Sequence, residues 1–318
     1  MRWILICLFQ ILLPTLTLAQ DAEAYCTQGL EKMKKQDFDG ALEAFTYALS
    51  LSDGNAEYRY YRAEVEIQME LLDEATSDCN ACIESAGKNP APLSERAIAK
   101  AYKGDIKGAW TDAERAYELR PQNPHICFNL AYIQLIQGEW DDAMDAINHA
   151  IELNPDDGHF YKLRGGIKFL ESDLTGAQAD YQQAYKLGLD GGGADSTHWL
   201  IWVILAKQGQ ITAANEQLSA WLLQGKSDYP QDWKIKIGRF LLGQVSESDL
   251  LATAISPNPY RDQGRHCEAY YYSGIKHLLS GDKATAIVDF RKSVATKKVA
   301  WNEYLDAQEE LKELGVSP

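Results

Sequence analysis

Three things are scarce in this 318-residue chain, and each scarcity removes a class of function. Positive charge is the first: 31 Lys and Arg stand against 46 Asp and Glu, a formal net charge of -15. With no net positive field to displace counterions from phosphates, a nucleic-acid partner is not expected. The acid excess reads instead as the solubility of a long exposed surface. The second scarcity is a long apolar run. Met1 to Ala19 (MRWILICLFQILLPTLTLA) is apolar from Trp3 to Leu13, but Gln10 and Pro14 interrupt it, and it falls short of the roughly 20 residues that span a bilayer. No integral membrane span is expected.

The third scarcity is catalytic pattern. Gly225-Lys226-Ser227 has Ala220 where a phosphate loop needs its first glycine, and a helical pattern precedes it instead of a strand. Gly191-Gly192-Gly193 reads as a flexible linker. His125 and His159 are two imidazoles without a third placed ligand, a weak metal site. His266, Cys267 and Glu268 are sequence neighbours, which point in different directions on a helix. Catalytic residues, metal ligands and cofactors are therefore all expected to be none.

What is present is a repeat. Rows of 34 residues follow one another without a gap as 22–55, 56–89, 90–123, 124–157 and 158–191, and self-similarity at a fixed period marks a solenoid. The row Pro124 to Asp157 reads as two amphipathic helices with a turn at Gln137-Gly138-Glu139 and a stop at Asn154-Pro155. Down the rows, the eighth column is Gly29, Ala63, Ala97, Ala131, Gly165; the twentieth is Ala41, Ala75, Ala109, Ala143, Ala177. The twenty-seventh is Ala48, Cys82, Ala116, Ala150, Ala184, and the seventeenth is bulky: Phe38, Leu72, Ile106, Trp140, Leu174. Small residues set the contact distance between helices, and large ones fill the gaps beside them.

With Pro121 and Pro155 closing second helices, the columns resemble the tetratricopeptide repeat family. The resemblance implies an all-α, right-handed solenoid of helix-turn-helix units. Burial in such an array is summed between neighbours rather than around one centre.

The rest of the chain extends that frame. Residues 1–19, with one basic residue, an apolar stretch and Thr17-Leu18-Ala19, read as a secretory signal peptide cleaved before Gln20. Cys7 follows bulky Ile6 and does not resemble a lipid-attachment site. Residues 20–191 hold five regular units, and 192–224 a degenerate sixth with Trp202 in the eighth column. Residues 225–266 form an irregular helical insertion: a helix near Trp233 to Leu242, a capping box at Ser246 and Asp249, then a connection marked by Pro257, Pro259 and Gly264. A seventh unit starts at Cys267 and extends, with a capping helix on Trp301, Tyr304, Leu305 and Leu311, to residue 318.

From about residue 196 to 314, WKIKIGRFLLGQVSESDLLATA and HCEAYYYSGIKHLLSGDKATAIVDFRKSVATK resemble bacterial repeat adaptors of the new-lipoprotein-I type. That resemblance implies a periplasmic adaptor for envelope proteases or cell-wall hydrolases, often a homodimer.

Five cysteines follow residue 19. Cys79-Asn80-Ala81-Cys82 is a C-x-x-C, which in an exported chain invites a redox reading. Its register opposes that, because Phe45 and Ala48, Ala113 and Ala116, or Ile147 and Ala150 fill the same columns in sister units. Core packing in mid-helix is expected.

The resemblance also places a binding face, since first helices line the concave side and expose columns two, five, nine, twelve and thirteen. These hold Tyr60, Tyr102, Phe128, Tyr132, Leu135, Lys162 and Phe169, with Asn129 beside them. Aromatic and apolar side chains desolvate cheaply and anchor a peptide or helix; the competing role is packing between units. The Lys and Asn set with which some family members clamp a terminal carboxylate is not matched. The expected function is a non-enzymatic exported adaptor binding a protein segment in its groove. The alternatives are a self-associating envelope subunit, with residues 233–314 as the dimer surface, and a thiol-redox enzyme.

Overall fold

The computed structural model describes residues 20–86, 89–189, 193–223 and 233–317; the expected signal peptide and residues Gly191 and Gly192 of the expected linker lie outside them. The described residues form seventeen α-helices and no strand, and the chain divides into two compact units.

The N-terminal unit comprises Met1–Lys103 with Lys107–Arg120. Its helices are α1 (20–34), α2 (Phe38–Leu51), α3 (Ala56–Gln68), α4 (Leu72–Ala86), α5 (Ala91–Tyr102) and α6 (Ile106–Leu119). The small-residue columns do the expected work. Ala41, Ala75, Ala109, Ala48 and Cys82 are fully buried, and a Cβ added to Gly29 would meet the Phe45 ring at 2.6 Å. The absence of a side chain in the eighth column thus admits an aromatic ring from the second helix.

A second device holds the repeats, and sequence reasoning overlooked it. Arg62 grips Asp78 with Nε at 2.6 Å and Nη2 at 2.9 Å, and Arg96 grips Asp112 with both contacts at 2.7 Å. Each pair joins the first helix of a repeat to its second, and Arg96 also reaches back to Asn80 of the preceding repeat at 2.6 Å. The planar guanidinium suits this, because it presents two parallel donors to a carboxylate and keeps others for the neighbour. The signal was in the sequence: Arg in column seven with Asp sixteen residues on, recurring as Arg164 and Asp180.

The C-terminal unit comprises Pro121–Pro318 with the short stretch Gly104–Ile106. It holds α7 (Pro124–Gln137), α8 (Trp140–Leu153), α9 (Gly158–Leu170), α10 (Leu174–Leu187), α11 (Gly193–Lys207), α12 (Ile211–Leu223), α13 (Trp233–Leu241), α14 (Glu247–Ala254), α15 (Pro259–Leu279), α16 (Lys283–Ala295) and α17 (Asn302–Glu313). The α7–α8 turn is as read from sequence: Gly138 ends α7 at φ 82, a left-handed conformation that costs glycine little. The fifteenth column is left-handed elsewhere too, at Gln36, Glu70 and Ser172 as well as at glycines. Ser246 caps α14 as expected, with Asp249 N–H donating to Ser246 Oγ at 3.1 Å and Ser246 Oγ donating to Asp249 Oδ2 at 2.7 Å.

Three expectations need correction. The expected GGGADS linker enters a helix, since α11 starts at Gly193; its Trp202 then fills the eighth column by burying its ring and donating from Nε1 to Asn215 at 2.9 Å. Nor is the stretch before Cys267 irregular. α15 runs unbroken from Pro259 because Asn258 caps it and Pro sits at the first position, where its missing N–H has no helical partner to lose. Finally, α17 does more than cover the last repeat, as the binding face shows.

Candidate protein-binding face

In the N-terminal unit the first-helix columns bring Tyr60 and Tyr102 onto neighbouring helices α3 and α5. Both are half-buried. Tyr60 donates to Glu64 Oε1 at 2.7 Å, one turn on. Burial, then the carboxylates of Glu95 and Glu64, push its hydroxyl well above the usual phenol range, and burial likewise raises Glu64. This face is aromatic and acidic.

In the C-terminal unit the same columns meet a helix. Tyr132, in column nine of α7, donates to the Ala300 carbonyl. Lys162, in column five of α9, faces Glu303 closely enough to draw its carboxyl downward against a larger upward push from burial. Lys207, near the end of α11, holds Glu310 at 2.6 Å and Glu313 at 3.4 Å, while its ammonium also lies 5.5 Å from the centre of the Phe169 ring. Tyr272 on α15 donates to Glu303 at 3.1 Å, and Ser172, just past α9, donates to Glu313 at 3.1 Å. α17 therefore lies across the first-helix face of this unit, touching side chains from α9, α11 and α15, while Ala300 just before it meets α7. It turns carboxylates inward: Glu303, Asp306 and Glu310 are all buried, beside Ala307 and Leu311.

That placement sorts the expected site residues. Lys162 and Tyr132 stand at the face and engage the segment that carries α17. Phe128 is half-buried with its ring 5.5 Å from that of Phe160. Leu135, Asn129 and Phe169 were expected to be exposed in the groove and are not: their exposures are 1%, 7% and 6%, and Phe169 joins the core cluster of Tyr181, Trp199 and Leu205. Phe169, in column twelve, turns inward among these large apolar neighbours. Lys207, Tyr271 and Tyr272 were missed, although Lys207 and Tyr271 occupy groove columns thirteen and five once the loosened repeats are registered.

The other candidates resolve simply. All five described cysteines are buried and unpaired. Burial raises the thiols of Cys79 and Cys82, the latter to about 11, and Cys82 donates to the Ala56 carbonyl at 3.1 Å. Exchange chemistry needs a stabilised thiolate in accessible surroundings, the opposite condition. His125 sits 5.7 Å from the Phe160 ring, edge-on, and no group of three metal-binding side chains occurs among the described residues. Among them, too, no helix is long and apolar enough to cross a membrane.

Comparison with known proteins agrees with the repeat. The tetratricopeptide repeat profile matches residues 26–90 and 101–167. A TPR repeat-containing protein of Methanocaldococcus jannaschii is 26% identical over 174 residues, half of this chain. The Hsp70-Hsp90 organizing protein of Triticum aestivum is 31% identical over 91 residues, 29% of this chain. The matches span 28% and 16% of those two relatives. Among solved structures, a thermophilic TPR protein of Thermus thermophilus aligns with TM-score 0.52 at 16% identity, over 57% of this chain and 98% of its own. The Cut9-Hcn1 hetero-tetramer of APC/C gives 0.57 at 15%, over 85% of this chain and 52% of the other. PilW, a type IV pilus biogenesis factor, gives 0.51 at 16%, over 67% and 96%. At such identities the structures speak to fold alone. Repeat register and profile identify tetratricopeptide repeats in residues 26–90 and 101–167, and the helix pairing is the fold of that family.

Proposed function

We propose that the protein is a non-enzymatic exported adaptor that binds segments of partner proteins on its first-helix faces. The observation that carries this is the C-terminal unit, whose first-helix face accepts a helix laid across three of its own first helices, α9, α11 and α15. The equivalent columns of the N-terminal unit offer Tyr60 and Tyr102, side chains of the kind that anchor a docked segment. The leader pattern of residues 1–19, with small Thr17 and Ala19 before Gln20, supports export. The likeness of residues 196 to 314 to new-lipoprotein-I type adaptors favours envelope proteases or cell-wall hydrolases as partners.

Cross-linking in the envelope followed by mass spectrometry would identify the partner, and its affinity for the purified chain can then be measured. Tyr60→Ala with Tyr102→Ala should weaken binding about thirtyfold to a thousandfold with little change in melting. Unaltered affinity with a lowered melting temperature would return both residues to packing and end the reading for this face.

A further inference from the structure

The α17 interface has an unusual composition for a helix buried in its own fold. Its inward face places carboxylates at Glu303, Asp306 and Glu310, a spacing of three and then four residues that lines up one side of a helix. They meet Lys162, Lys207 and the hydroxyl of Tyr272. Apolar contact comes from Ala307 and Leu311. The fit is incomplete: Glu310 Oε2 and the Tyr271 hydroxyl are buried with no hydrogen-bond partner. Burying charge gains little net stability, and unpaired polar atoms subtract from it. Just upstream of α17 the Trp301 ring packs against Gly264 of α15, in the space a Cβ would need.

A groove lined by lysines and tyrosines, filled by a helix that carries acids and loses polar contacts on entry, has the character of a receptor site occupied by a stand-in. We propose that this face of the C-terminal unit is a binding site for an acidic helical segment of a partner protein, with carboxylates in the spacing of Glu303, Asp306 and Glu310, and that such a segment displaces α17. The inference rests on the adaptor reading and gives that reading a ligand chemistry for this face.

The probe is a fluorescein-labelled synthetic peptide of residues 298–317, titrated into the full chain with anisotropy as the readout. A tethered helix competes at an effective concentration on the order of millimolar, so the wild-type chain should bind weakly. Glu303→Ala with Glu310→Ala weakens the internal helix and leaves the groove intact, and should raise peptide affinity about tenfold or more. Gly264→Ala, which pushes Trp301 away without touching a carboxylate or its partners, should do the same and serves if the first variant folds poorly. Adding Lys207→Glu to either should abolish the gain, and a peptide with Lys at 303, 306 and 310 should not bind. Folded release variants that fail to bind the peptide would overturn the proposal, as would binding indifferent to Lys207 or to peptide charge. Release variants that instead become stable dimers on light scattering would also overturn it, by making a second copy the occupant. The adaptor reading is tested separately at Tyr60 and Tyr102, so either can fail alone.

Discussion

The two units build one kind of repeat and put opposite chemistry on the same columns. In the N-terminal unit the first-helix face pairs tyrosine with acid, Tyr60 with Glu64 and nearby Glu95. In the C-terminal unit it pairs tyrosine with lysine, and an acidic helix of the same chain lies on it. The scaffold, by contrast, is largely shared. Repeats two and three carry the Arg–Asp clamp, and repeat five repeats it, with Arg164 reaching Asp180 at 2.8 and 2.7 Å and Asn148 of the preceding repeat at 3.0 Å. Repeat four has Leu130 and Ala146 in those columns. Groove columns can therefore change charge freely, because the contacts that hold the repeats lie in other columns. That separation is what lets a solenoid vary its ligand while keeping its fold.

The largest test of the shared scaffold is the aromatic that enters the eighth-column glycine. Phe45 and Phe290 are both fully buried, each against such a glycine, so Phe45→Ala and Phe290→Ala should each cost about 3–5 kcal/mol in denaturant unfolding. A loss below 1 kcal/mol at either would break the equivalence of the two units.

Next comes the clamp. Asp112 accepts from Arg96 and Lys100, each at 2.7 Å, and is itself almost fully buried. Asp112→Ala leaves both cations without their partner. The cost should be about 2–3 kcal/mol, less than for a fully buried pair because Arg96 and Lys100 keep some water. If Asp112→Ala melts like the wild type, the clamp is ornament and the repeats are held by apolar contact alone.

A smaller effect separates the two faces by pH. Burial, then Glu303 and Glu310, push the Asp306 carboxyl well above its usual range, with Lys207 drawing it back. Burial raises Glu303, Glu310 and Glu268 as well, and Tyr181, Tyr271 and Tyr272 face the same cluster. A carboxyl whose folded pKa lies above its unfolded value stabilises fully below the unfolded value. That contribution disappears as pH rises through the folded one. Amide exchange of α17 should therefore quicken relative to the core as pH rises above the ordinary carboxylate range, and Asp306→Asn should flatten the trend. An α17 that tightens with rising pH would show that the lysines, not burial, govern the cluster.

The smallest expected change is a gain. Gln36 holds the left-handed turn position that Gly138 fills in repeat four, and a non-glycine residue there carries a strain of order 1 kcal/mol. Gln36→Gly should raise stability by up to about 1 kcal/mol after the entropy of the unfolded chain is subtracted. A fall would mean that the side chain contributes more than its backbone costs.

The sequence by itself determined the repeat, because the 34-residue period places small residues wherever helices cross and turn signals wherever they end. The position of Ala41, Ala75, Ala109, Ala143 and Ala177 is a local, periodic constraint, legible without coordinates. So are the burial of Cys79 and Cys82 and the start of α14 at its Ser246 cap. Tertiary structure alone decided what covers each face. Phe169 sits in a column that looks open in a single repeat and closes when Tyr181, Trp199 and Lys207 arrive from elsewhere in the chain. α17 reads as a plain terminal cap because the contacts of its segment, Ala300 with Tyr132 and Glu313 with Ser172, span 168 and 141 residues. Periodicity reports what one helix presents; which distant segment meets it is set by the path of the chain, and no local pattern encodes that.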